Sequence, residues 1–176
     1  QYDFVGSANS NISFTYSGWI DLFGWGTGNN PTLAITDYTY YSTFVDWGSN
    51  AIINGGNAVN QWRTLTQSEW YYLLYSRTNA SSKRGTGNIN GVGGLIILPD
   101  SWAQPSGCPQ FSPGVASDWS HNSYTLAQWA QMELAGAVFL PAAGTRPGTS
   151  VNDVGNNGFY WSSTPYSKND ASHMYF

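Results

Sequence analysis

Apolar residues recur at helical spacing in two places along the chain, and each stretch opens with a capping signal. In Thr66-Gln-Ser-Glu69, the threonine hydroxyl is placed to accept from the backbone N–H of Glu69, whose carboxylate reaches back to the N–H of Thr66. Trp70, Leu73, Leu74 and Arg77 then follow at i, i+3, i+4 and i+7, so the first three form an inward stripe and predict a helix over about 67–77. Thr125-Leu-Ala-Gln128 repeats the capping logic, with Leu126, Trp129, Ala130 and Glu133 at helical spacing. Gly136 provides the stop, and the pattern predicts a second helix over about 126–135.

Short apolar runs supply the strands. Gly94-Leu-Ile-Ile-Leu98, ended by Pro99, reads as a buried central strand, and Ala137-Val-Phe-Leu140, closed by Pro141, as another. Phe159-Tyr-Trp161 and His173-Met-Tyr-Phe176 read as two more, joined by the polar connection Tyr166-Ser-Lys-Asn-Asp170. Gly85-Thr-Gly87 and Asn90-Gly91 read as turns, and 101–122 as a loop rich in Pro, Ser and Gly. The segment 1–60 has little periodicity but many aromatics, among them Trp19, Phe23, Trp25, Tyr38, Phe44 and Trp47. That mixture implies long ordered loops rather than disorder, which is poor in aromatics.

Composition sharpens this picture. Only 9% of the 176 residues are charged, against roughly 25% in an average soluble protein, while 16% are aromatic, with nine Trp. Polarity therefore rests on Asn, Ser, Thr and Gly, as in many extracellular bacterial domains. The net charge of −4 and the scarcity of clustered cations, with only Lys83 and Arg84 adjacent, exclude nucleic acid as an expected partner. No run of 18 apolar residues suggests a membrane span. Cys108, the single cysteine, can form no internal disulfide. It has no nearby basic residue to activate it in Ser106-Gly-Cys-Pro109 and is expected to be inert.

Four ordered motifs carry a family resemblance: 62–70 (Trp-Arg-Thr-Leu-Thr-Gln-Ser-Glu-Trp), Leu95–Asp100, Phe139-Leu-Pro-Ala-Ala-Gly-Thr-Arg146 and Gly158–Thr164. Together they resemble the major paralogous domain family of secreted proteins from Bacteroidetes and Fibrobacter. The opening Gly18-Trp-Ile-Asp-Leu-Phe-Gly-Trp-Gly-Thr-Gly28 resembles the N-terminal half of larger members, so the likeness covers nearly the whole chain. The family is similar to the C-type-lectin fold, shared with formylglycine-generating enzymes and with variable proteins diversified by retroelements. The resemblance implies an α+β domain over 1–176, with two helices packed on a small twisted antiparallel sheet and long ordered loops on one face. It also implies a further strand at each end of such a fold, and a partner strand from another chain would complete the sheet in their absence. The expected sheet contains 94–98, 137–140 and 159–162, with Trp70, Leu73, Ile96, Trp129, Phe139 and Trp161 nearly inaccessible.

Candidate chemistry is sparse. The Glu-Pro-Asn and Trp-Asn-Asp loops of calcium-dependent sugar sites do not occur, and Val151-Asn-Asp153 and Asn169-Asp170 are turn formers first. His121 and His173 lack metal-ligand spacing with each other or with Cys108, and no Gly-x-Ser-x-Gly elbow is present. Nothing nominates a carboxylate pair. The expectation is therefore a protein that is not an enzyme and carries no metal or cofactor. Trp62 and Trp161 offer sugar-stacking rings but are expected in the core. The polar and amphipathic stretch after the Tyr-Trp-Ser-Ser motif has the composition of a paratope: Tyr166, Lys168, Asn169, Asp170, His173 and Tyr175 are the expected ligand contacts. In retroelement-diversified relatives the corresponding segment carries the variable residues. The combined expectation is an extracellular or cell-surface lectin-like or adhesin module that recognises a glycan or a surface protein. The alternative is a structural subunit of a pilus or adhesin assembly.

Overall fold

The computed structural model describes residues 58–61, 63–116, 118–145, 152–166 and 171–176. The aromatic-rich loops expected over 1–60 therefore lie almost wholly outside the described residues, as does Trp62. Two compact units are formed. One takes the described residues among 1–70, 145–152 and 160–175, and the other those among 71–144, 153–159 and Phe176. The architecture is mixed α+β.

The larger described part, in the second unit, is built on a hairpin. Strand β1 (Arg84–Ile89) runs antiparallel to β2 (Val92–Ile97) in the register Arg84↔Ile97 to Ile89↔Val92. Asn90 and Gly91 join them with φ of 52° and 86°, the pair of left-handed conformations that a tight hairpin turn demands. β4 (Val138–Pro141) adds antiparallel to the other edge of β2, and β3 (Ser123–Tyr124) pairs with β1 in parallel, giving the order β3-β1-β2-β4. β3 reaches β1 through the long connection after Leu98, which permits a parallel pairing that a hairpin could not make. From Gly93 onward β2 is buried on both faces, which explains its uninterrupted apolar run.

Helix α2 (Leu126–Leu134) seals one face. Its start is the expected capping box, with Gln128 N–H donating to Thr125 Oγ1 at 3.3 Å and Thr125 N–H to Gln128 Oε1 at 2.9 Å. Its end is fixed by Gly136 at φ 94°, which sends its N–H to Glu133 O while Ala137 N–H reaches Met132 O, the paired bonds of a Schellman stop. Trp129 and Met132 enter a core with Ile89, Ile96, Leu98, Phe111, Tyr124 and Ala137, and Trp102, Cys108 and Phe139 pack against it. The Tyr124 hydroxyl is buried there with no hydrogen-bond partner among the described residues. Burial, aided by the neighbouring Cys108 thiol, pushes its pKa up to about 12. Asn122, also buried, pins the 111–122 loop to the sheet: Nδ2 donates to Thr86 O and Ser112 O at 2.8 Å, and Oδ1 accepts from Ser112 N–H at 2.8 Å.

Three sequence expectations are corrected. The stretch 84–89 is a strand, not a turn. Gly85 and Gly87 sit where the loop backbone and Asn122 press against β1, and a Cβ on Gly87 would meet Asn122 O at 2.5 Å. This strand takes the seat beside β2, and Phe159–Pro165 (β5) instead forms a separate two-stranded sheet with Ala171–Tyr175 (β6). Trp161 is the second correction. Its side chain is 46% exposed, while Trp70, Leu73 and Phe139 are half-buried, and only Ile96 and Trp129 of the six are inaccessible. The first helix also differs from expectation: α1 (Gln67–Tyr71) continues into a wider turn over Tyr72–Ser76, closed by Arg77 N–H to Tyr72 O at 3.0 Å. Arg77, outside the expected inward stripe, is itself buried. Its Nε donates to Leu73 O at 2.8 Å and its Nη1 to Asp100 Oδ1 at 3.3 Å.

Candidate ligand-binding face

The first unit presents a small sheet clamped to the start of α1. Glu69 completes the first capping box: Thr66 N–H donates to its Oε2 at 2.8 Å, and its own N–H donates to Thr66 Oγ1 at 3.2 Å. Arg63 closes on the same carboxylate as a two-pronged fork, Nη1 to Oε2 at 2.7 Å and Nη2 to Oε1. These bonds hold the Glu69 carboxyl at about 2, well below its ordinary 4.5, the Arg63 guanidinium being the largest cause. The segment so fixed grips β5 at three points. Ser163 N–H donates to Leu65 O at 2.9 Å, Gln67 N–H to Thr164 Oγ1 at 3.1 Å, and Trp70 Nε1 to Trp161 O at 3.2 Å.

Alternation along the two strands then sorts the side chains. Ser162, Ser172 and Met174 are buried, and Tyr160 meets the Trp70 ring edge-on with centroids 6.4 Å apart. Burial raises the Tyr160 phenol above its ordinary value. Trp161, His173 and Tyr175 point the other way and are exposed, and Trp161 meets His173 edge to face at 5.7 Å with an interplanar angle of 81°. Tyr166, just past β5, is 78% exposed. Beyond this sheet, Phe176 and Gly158 exchange backbone hydrogen bonds at 3.0 and 3.2 Å within the second unit, the signature of an antiparallel pair.

Of the expected contacts, Tyr166, His173 and Tyr175 are therefore solvent-facing, and His173 and Tyr175 share the exposed face of β6. Lys168, Asn169 and Asp170 lie outside the described residues. Trp161 belongs with this group although the sequence reading gave it to the core. Period-two alternation puts Trp161 and Ser162 on opposite faces, but which of the two is covered is set by tertiary packing and not by the strand itself.

Other candidate chemistry stays dispersed. Among the described residues no group of three or more His, Cys, Asp and Glu could hold a metal ion. Asp153 occupies a turn at φ 59°, its carbonyl accepting from Asn156 and Asn157 N–H at 3.0 Å. Cys108 is half-buried, with Sγ donating to Gln128 O at 3.4 Å. Among the described residues no helix is long and apolar enough to cross a membrane. Comparison with protein-family models, with curated proteins and with solved structures returned no match for this chain.

Proposed function

We propose that this chain is a non-enzymatic ligand-binding module of C-type-lectin-like fold, displayed outside the cell, whose ligand is a glycan or a surface protein. The observation that carries the reading is the exposed Trp161, held edge to face on His173 on a clamped two-stranded sheet. An indole left in water loses the stabilisation that burial would give it, on the order of a few kcal/mol for a large apolar side chain. Aromatic anchors kept exposed on a rigid support are the residues that interfaces enrich. Tyr175 and Tyr166 extend the aromatic and hydrogen-bonding surface at low entropic cost. The low charge of the chain suits a neutral, hydrogen-bonding ligand.

The test is a glycan and surface-protein array probed with the full chain, followed by Trp161→Ala and His173→Ala on every hit. Binding lost in both variants, with their melting temperatures unchanged, supports this face. Hits that both variants retain overturn it.

A further inference from the structure

The second unit has its cations in one place. Among its described residues the basic side chains are Arg77, Lys83 and Arg84, all within one short stretch around the 3-10 turn Ala80–Lys83. A single carboxylate answers them: Asp100 Oδ1 accepts from Lys83 Nζ at 2.7 Å and from Arg77 Nη1 at 3.3 Å. Arg84 pairs with no carboxylate among the described residues. Its guanidinium carbon lies 4.3 Å over the centre of the Tyr75 ring. Tyr75 in turn packs against Tyr71 with centroids 5.3 Å apart and planes 32° from parallel. Tyr71, Tyr72 and Tyr75 are all more than half exposed. At the surface the cluster thus presents Arg84, with no carboxylate partner among the described residues, beside the exposed rings of Tyr75 and Tyr71, on a protein whose net charge is −4.

We propose that this surface is a second binding site, independent of the β5–β6 face, and that it takes a sugar bearing a ring carboxylate. Arg84 presents planar donors that match a carboxylate, and its stacking on Tyr75 has already restricted the side chain that would have to be ordered. Lys83 is held by Asp100 with its side chain 15% exposed, so Arg84 is the cation that meets the ligand. Tyr71, packed on Tyr75, offers a ring face to the apolar side of a pyranose and a hydroxyl to its edge. Nucleic acid, whose successive phosphates need a cluster of Lys and Arg, is disfavoured by the small number of cations here. An acidic peptide would need a groove or a strand edge to order its backbone, whereas a sugar ring needs only a flat aromatic support.

Isothermal titration of the full chain with tetragalacturonate, and with its methyl ester as the uncharged counterpart, tests the site. The expected result is binding of the acid, weakened by added salt, and none of the ester. Arg84→Gln should reduce affinity by about tenfold or more, as losing a charge-assisted hydrogen bond does. Tyr71→Ala should weaken it as well, and Trp161→Ala should leave it unchanged. Should Arg84→Gln fail to fold, as judged by its melting curve, Tyr71→Ala carries the test, because that ring is exposed. No binding of tetragalacturonate, equal binding of the ester, or Arg84→Gln and Tyr71→Ala both indifferent would overturn the proposal. It is equally overturned if hexaglutamate or phosphatidylserine vesicles bind as tightly with the same dependence on Arg84, or if only Trp161→Ala abolishes binding.

Discussion

The rings of Trp161 and His173 meet edge to face at 5.7 Å across β5 and β6, on the side of the sheet that faces solvent. Trp129, by contrast, is 3% exposed and wedged between Tyr124 and Phe139 at centroid distances of 6.3 and 5.7 Å. One tryptophan is available to a ligand and the other holds the core, and they should respond differently to the same substitution.

Trp129→Ala removes a packed indole and leaves a cavity, a loss of about 3–5 kcal/mol. Trp161→Ala deletes an exposed ring and should cost no more than about 0.5 kcal/mol, as surface changes do. Chemical denaturation of both variants beside the wild type checks this. Equal destabilisation would show that Trp161 is structural.

The ends of α2 make a second, separable pair. Thr125→Ala removes the hydroxyl that accepts from Gln128 N–H and should cost about 1 kcal/mol. Gly136→Ala forces a side chain into φ 94° and should cost about 1–2 kcal/mol. The two sites are at opposite ends of the helix, so the double variant should show additive losses in urea melts.

Gly94 predicts a steric failure. A Cβ there would run into Leu140 O and lie 2.6 Å from the Phe139 ring, where β2 and β4 pair. Gly94→Ala should destabilise by about 1–3 kcal/mol through overpacking. Gly91→Ala meets nothing within 4 Å but sits at φ 86°, so its cost is confined to backbone strain. A thermal melt in which Gly94→Ala is neutral would contradict the close approach.

Acid should find Glu69. Its carboxyl titrates at about 2 in the folded chain against 4.5 ordinarily, so the folded state binds fewer protons than the unfolded state between those values. The stabilisation is fully present above pH 4.5 and is lost as pH falls toward 2. The carboxylate side chain is 39% exposed, so solvent screening keeps the effect small. Melting temperature followed from pH 6 downward should fall less steeply for Glu69→Gln than for the wild type over that window. Parallel curves would mean the Arg63–Glu69 fork contributes nothing.

Signals that act over a few residues were legible in the sequence. The boxes at Thr66–Glu69 and Thr125–Gln128, the stop at Gly136 and the run ending at Pro99 each need only near neighbours, and each is found where the pattern put it. β1 was illegible because its glycines answer to Asn122 and Phe111, more than 20 residues further along the chain, and so imitate a turn. The buried Arg77 was hidden for a similar reason, since its partners are the Leu73 carbonyl in an irregular turn and the distant Asp100. Of the candidate face, the polar character of β6 could be read directly. Which side of β5 Trp161 occupies depended on what Trp70 and Tyr160 cover, and that is a matter of tertiary packing.

The central claim is that the exposed face of β5 and β6 binds a ligand. Its most direct measurement is the affinity of an array-identified ligand for wild type and Trp161→Ala, by titration calorimetry, with melting temperatures recorded alongside. The expected result is a loss of about tenfold or more, the size of a buried aromatic anchor, at unchanged stability. An affinity unchanged by Trp161→Ala would contradict the claim.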